Sequence, residues 1–228
     1  MENQPLPAMT DNEACASVPA LFSSRLLRRY AAGKLRADPV FRAAYELLGA
    51  SNEPVLDVGC GVGLLPFYLR HRGFRPAITG LDLDRNKIRR AAAAAESVDG
   101  TFHFLEQDVA SALPAFRGNV ALLDVLHYLS PAAQETLLRA LASRVAPGGM
   151  ALVRECPRDR SARFWATYAG ELFAQTICWN VRRRLHFPTR DSINAAFCEP
   201  EFTREEWPMF AGGPFNNRLF VFRRRRSL

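Results

Sequence analysis

Apolar and polar positions follow two rhythms along this chain, and the change between them falls near Pro54. Residues 1–18 are polar, contain proline and show no period, which predicts a disordered leader. Leu21, Leu26, Leu27 and Tyr30 then fall near one face of a helix expected to end by Gly33. A second helix is expected to open with Asp38 as N-cap and Pro39 at its first position. Val40, Phe41, Ala44, Leu47 and Leu48 give it a 3.6-residue stripe that stops at Gly49. From Pro54 the rhythm becomes short apolar runs alternating with helical stretches. Strands are predicted at 55–58, 77–81, 102–105, 120–124 and 150–155, with helices ending near Arg72 and spanning 85–97 and 131–145.

The last third departs from that alternation. Residues 160–181 hold Phe164, Trp165, Tyr168, Leu172, Phe173, Ile177 and Trp179, a pattern that predicts an aromatic-rich helix. Thr189 or Asp191 is expected to cap a short helix ending near Phe197. Two strands, 202–209 and 215–223, are joined by the Ala211-Gly212-Gly213-Pro214 turn and predict an antiparallel finish. Strand–helix alternation implies a parallel sheet covered on both faces. The expected architecture is therefore an α/β, Rossmann-like, seven-stranded and mostly parallel sheet with its last strand antiparallel. A helical cover over 19–50 precedes a main domain at 51–222. Within that domain 157–198 is read as a substrate lid, and 223–228 form a basic tail.

The densest chemical signal is Val55-Leu56-Asp57-Val58-Gly59-Cys60-Gly61-Val62-Gly63-Leu64. Glycines at 59, 61 and 63 let the backbone turn sharply after a strand and approach a ligand without Cβ obstruction. The following helix presents free N–H groups there. The run differs from a dinucleotide GxGxxG, because Leu64 follows Gly63 and position 57 is acidic. An acid there would repel a pyrophosphate.

Asp57-x-Gly59-x-Gly61-x-Gly63 resembles the first motif of the class I S-adenosylmethionine-dependent methyltransferases. The resemblance continues in order through residues 55–155. Ile78-Thr79-Gly80-Leu81-Asp82-Leu83-Asp84 is similar to the segment whose acid holds both ribose hydroxyls, which points to Asp82 with Leu83 beside it; Asp84 is read as a helix cap. Phe104-Leu105-Glu106-Gln107-Asp108-Val109 resembles the segment whose acid accepts the adenine amino group, pointing to Asp108 flanked by Gln107 and Val109. The fourth-strand run from Leu122 to Leu129 and the turn Val145-Ala146-Pro147-Gly148-Gly149-Met150 match later motifs. The resemblance thus implies S-adenosylmethionine as cofactor, with Asp57, Gly59, Cys60, Gly61, Gly63, Asp82, Leu83, Gln107, Asp108, Val109 and Asp124 around it.

Methyl transfer mainly requires alignment of the nucleophile with an already activated methyl group. An acceptor hydroxyl also needs a base, and His127, at the end of strand four with Tyr128 beside it, is the expected catalytic position. His186 is a second candidate, whereas His71 and His103 read as structural. Trp165, Tyr168, Phe173, Trp179 and Phe187 are expected to supply an aromatic lid, of which two or three would touch substrate. The runs Gly33 to Val40, Asp124 to Leu129 and Pro214-Phe215-Asn216-Asn217 resemble methyltransferases of bacterial aryl-polyene and related polyketide pigment clusters. That resemblance implies a small aromatic or polyketide-derived acceptor, methylated on oxygen or carbon, free or tethered to an acidic acyl carrier protein.

Composition narrows this picture without redirecting it. The 228 residues are 48% hydrophobic and 23% charged, an ordinary globular balance for one decorated domain. No apolar run approaches the ~20 residues of a membrane span, and the first residues lack a basic and an apolar signal region. Five cysteines without a CxxC pair argue against a disulfide scaffold or a zinc site, so a reducing cytoplasm is expected. The net charge of +7 is clustered at Arg28-Arg29, Arg89-Arg90, Arg182 to Arg184 and Arg223 to Arg226. It would suit an acidic carrier protein and also raises the alternative of RNA or protein methylation. Against nucleic acid stands the lack of an Asn/Asp-Pro-Pro-aromatic motif after strand four. A non-catalytic scaffold on the same fold is the remaining alternative, and the intact glycines and acids speak against it.

Overall fold

The computed structural model describes residues 8–159, 161–176, 184–210 and 213–226, without the side chains of 173–176. Its seven strands follow the order β3-β2-β1-β4-β5-β7-β6 in one sheet, with helices between most of them. This is the expected Rossmann-like arrangement. The chain divides into two compact units, residues 1–107 and 108–228.

In the first unit, β1 (Val55–Val58) pairs in parallel with β2 (Ile78–Asp82), and β2 with β3 (Phe102–Glu106). All four β1 residues are buried, as expected of a strand covered on both faces. Three helices precede it: α1 (Asp11–Ala20), α2 (Arg25–Ala37) and α3 (Val40–Leu48). Then α4 (Leu64–His71) and α5 (Arg85–Ala95) join the strands. The α3 helix packs on α4 through Phe41 and Tyr68, whose ring centroids lie 5.9 Å apart.

Two expectations about the N-terminal region need correction. Residues 11–18 are not a disordered leader but most of α1, closed at its start by a Thr10–Glu13 capping box. Its buried face consists of Ala14, Cys15, Val18 and Pro19, residues too small to produce an apolar period. Asp11 anchors it through the Tyr68 hydroxyl and Arg42. Helix α2 does not end at Gly33 but runs to Ala37, burying Leu27, Ala31 and Leu35 while Leu26 is exposed. Lys34 pairs with Asp38 one turn on, at 2.8 Å, which supports the last turn. Helix α3 begins at Val40 with Pro39, not Asp38, as its N-cap, although Asp38 still accepts from the Val40 amide at 3.1 Å.

In the second unit, β4 (Asn119–Leu123) runs parallel to β5 (Met150–Glu155). Antiparallel pairing follows, β5 with β7 (Arg218–Arg224) and β7 with β6 (Phe202–Pro208). Helix α6 (Pro131–Ala142) starts on a Ser130 cap with proline at its first position. Helix α7 (Ala162–Thr176) carries the aromatic run, and α8 (Arg190–Asn194) is capped by Thr189. The expected lid residue Trp179 and the Ala211-Gly212 part of the final turn lie outside the described residues, as does the side chain of Phe173. Among the described residues no helix is long and apolar enough to cross a membrane.

Candidate active site

The glycine turn after β1 is built as its sequence demands. Gly59, Gly61 and Gly63 have φ of 79°, 58° and 84°, in the left-handed region that a side chain disfavours. The Gly59 and Cys60 amides both donate to the Leu81 carbonyl, at 2.7 and 2.8 Å, which ties the turn to the end of β2. A Cβ on Gly63 would meet the Phe67 ring at 2.9 Å, whereas one on Gly61 would meet nothing within 4 Å. The Gly61 backbone therefore borders open space. Gly80 has a packing reason of its own, since a Cβ there would strike the Phe104 ring and the Cys60 sulfur.

Two acids frame this turn. Asp82 accepts the Gly61 amide at 2.9 Å on one oxygen and the Asp84 amide at 2.8 Å on the other. Each carboxylate oxygen retains a second lone pair for a ligand hydroxyl. Asp84 caps α5 through the Asn86 and Lys87 amides, as expected. Asp57 is 3% exposed, and no hydrogen bond or ion pair to another described residue reaches its carboxylate. Burial, and secondarily the charge of Asp82, pushes its pKa up to about 7. A buried carboxylate of this kind is relieved by a proton or by an incoming cation or donor. Burial likewise raises the Cys60 thiol well above its ordinary range and keeps it neutral. Leu83 is 43% exposed beside Asp82, and the Gln107 amide donates to the Asp82 carbonyl at 2.9 Å.

The remaining predicted residues belong to the second unit. Asp108 turns its own loop by accepting the Ala110 amide at 3.0 Å, and Val109 is half-buried beside it. Asp124 ends β4 with a φ of 59°, the one positive value among described non-glycine residues. Its carboxylate meets the buried Arg154 guanidinium at 3.1 Å and its amide donates to the Arg154 carbonyl. Strained backbone at the carboxyl end of a strand is a common property of working sites.

His127 lies in a 3₁₀ turn, Leu126–Tyr128, and is almost wholly buried. Its Nδ1 is 2.8 Å from Glu155 Oε1, and its backbone amide donates to Glu155 Oε2 at 3.2 Å. Its Nε2 faces Glu171 of α7 at 3.7 Å, an ion-pair distance too long for a hydrogen bond. Tyr128 donates to Glu171 at 2.6 Å. Burial opposes charge on the imidazole, but Glu155 and then Glu171 outweigh it and carry the pKa up to about 10. Burial, then Glu171, also drives the Tyr128 phenol upward. The two acids thus favour the protonated imidazole, the form that donates from both ring nitrogens.

Phe187 stacks on the His127 ring at 5.2 Å and 13°, with Phe164 and Tyr168 against Phe187. Trp165 is 57% exposed at the edge of this cluster. His186 contributes its backbone, donating to the His127 carbonyl at 2.8 Å. The sequence places Glu155 only within the run Arg154 to Asp159 that leaves strand five at the ligand edge, as a source of acceptor selectivity, and does not single out Glu171. The available signals were an acid ending a strand whose first four residues are apolar, and an acid three residues after Tyr168 on an aromatic helix.

Residues 55–149 match the family described as a methyltransferase domain. Over those residues the chain is similar to methyltransferase domains. The ubiquinone biosynthesis O-methyltransferase of Psychrobacter cryohalolentis is 25% identical over 165 residues, 70% of this chain and 62% of the relative. The chain thus spans about 62% of the length of that curated relative. Two solved structures share the domain's fold. Magnesium protoporphyrin IX methyltransferase from Synechocystis, with S-adenosylhomocysteine bound, has a TM-score of 0.63 at 18% identity over 90% of this chain and 88% of its own. The Burkholderia thailandensis 1,6-didemethyltoxoflavin-N1-methyltransferase has a TM-score of 0.61 at 19% identity over 96% and 92%.

Proposed function

We propose that this chain transfers a methyl group from S-adenosylmethionine to a small aromatic or polyketide-derived acceptor. The observation that carries the donor half is Asp57, a buried acid with no partner among the described residues beside a turn whose Gly61 borders open space. Asp57 would answer the donor's positive charge. Asp82, oriented by two backbone amides, would hold the ribose hydroxyls, with Leu83, Gln107, Asp108, Val109 and Asp124 as further contacts. When bound, the donor supplies an activated methyl group; the residues of the chain bind, orient and manage protons.

The acceptor half rests on Phe187, which stacks on His127, and on Phe164 and Tyr168 packed against Phe187, a cluster that suits a flat ring. The small-molecule enzymes among the similar proteins support the same substrate scale. An acyl carrier protein as bearer of the acceptor is favoured by the net charge of +7, and a reducing cytoplasm by the cysteine pattern.

Isothermal titration with S-adenosylhomocysteine tests the donor half. Micromolar binding is expected, and Gly61→Arg should abolish it by filling the open side of the turn. Gly61→Ala should cost far less, because a Cβ meets nothing there and only the positive φ is penalised. No binding to the intact chain would overturn the reading.

A further inference from the structure

The His127 cluster contains a group that donor binding leaves unused. Glu155 takes the Nδ1 side of the ring and the His127 amide, which fixes its orientation. Nε2 is buried and has no hydrogen-bond partner among the described residues. The acid facing it, Glu171, stands at 3.7 Å and is held instead by the Tyr128 hydroxyl at 2.6 Å. Around the ring stand Glu155 from β5, Tyr128 from its own turn, Glu171 from α7 and the apolar face of Phe187. The result is a cationic N–H aimed at a position where the chain supplies an anion but no hydrogen bond.

We propose that Nε2 of His127 is the binding point for an acidic hydroxyl of the acceptor, a phenol or enol, held as its oxyanion. In the free protein Glu171 occupies this point as the chain's own anion. The inference rests on the methyltransferase reading only in calling the ligand an acceptor. On binding, the acceptor O–H bond breaks and its proton passes to the Glu171 carboxylate. The electron pair stays on the acceptor oxygen, which accepts the Nε2–H. Neutral Glu171 no longer competes for the imidazolium, and Tyr128 can continue to donate to it. The oxygen is thereby left with the electron pair that a nucleophile needs. Phe187, parallel to the imidazole, and Phe164 offer the acceptor ring an aromatic wall.

The test uses 4-nitrophenol, whose ionised form absorbs visible light, titrated into the full chain with and without saturating S-adenosylhomocysteine. The bound probe should show its phenolate band at a pH below its ionisation in solution, and the His127 Nε2 signal should move in the ¹⁵N spectrum of histidine-labelled protein. Glu171→Gln removes the competing anion. It should tighten probe binding by about tenfold, as expected of a charge-assisted hydrogen bond, at a pH where the probe is already ionised in solution. His127→Gln should abolish the phenolate band. If that variant does not fold, the wild-type spectrum and Glu171→Gln still decide the matter. Binding as the neutral phenol, a stationary Nε2 signal, or unchanged affinity in Glu171→Gln would overturn the inference. Calorimetry with S-adenosylhomocysteine on the same samples separates the two readings. Cofactor binding without a phenolate signal removes this inference alone, whereas absent cofactor binding removes the methyltransferase reading whatever the probe does.

Discussion

Each unit of this chain buries an ionisable group at the carboxyl end of a strand, and the two are handled oppositely. Asp57 in the first unit has no described partner and sits near a second acid, so burial pushes its pKa up to about 7. His127 in the second unit lies between two acids, which hold its charge despite near-complete burial. The cost of desolvation is similar in kind for both. What differs is the source of the compensating charge. For His127 it is internal, so the cluster is complete as folded. For Asp57 no described residue supplies it, so a proton or, on the proposed function, a cationic donor would.

The contrast can be broken most forcefully at Glu155. Glu155→Leu removes the direct partner of a buried imidazolium and should lower unfolding free energy by about 3–5 kcal/mol, read from urea denaturation. Asp57→Asn should do the reverse to the free protein while weakening S-adenosylhomocysteine binding. A loss near wild-type stability for Glu155→Leu would mean that His127 is not charged in the fold.

Next in size is Asp82→Ala, expected to weaken S-adenosylhomocysteine binding by about 2–3 kcal/mol through lost charged hydrogen bonds. Calorimetry showing unchanged affinity would remove Asp82 from the cofactor site.

The pH dependence sharpens the comparison, and its sign follows from the shifts. Asp57 is raised from 3.8 to about 7. Its contribution to stability is therefore full below its unfolded value and lost as pH rises through about 7. His127 is raised from 6.5 to about 10, so its contribution is full below about 6.5 and declines as pH rises until it is gone above about 10. Asp57→Asn should flatten the fall in stability of the free protein between pH 4 and 7 and leave the alkaline limb in place. Affinity for S-adenosylmethionine should decline as pH falls below about 7, because Asp57 then binds a proton instead. An acid limb identical in wild type and Asp57→Asn would show that Asp57 does not titrate there.

The smallest expected effect is a control belonging to neither site. Gly33→Ala, in the interior of α2 where a Cβ meets nothing within 4 Å, should stabilise the chain by up to about 1 kcal/mol through helix propensity and leave cofactor affinity unchanged. Altered affinity would show that the helical cover communicates with the glycine turn.

What the amino-acid sequence determined by itself was local. The strand–helix rhythm, the three glycines whose φ values only glycine adopts easily, and the acids at 57 and 82 were all legible, because turn chemistry and burial are properties of short segments. Tertiary structure decided the rest. Helix α1 was invisible because its inward residues are small and become buried only when the fold surrounds them. The charge of His127 was equally hidden. Glu155 lies 28 residues away in another strand, and Glu171 lies 44 residues away on α7. Proton affinity inside a protein is set by which charges the fold brings within a few ångströms, and no window of sequence contains that distance.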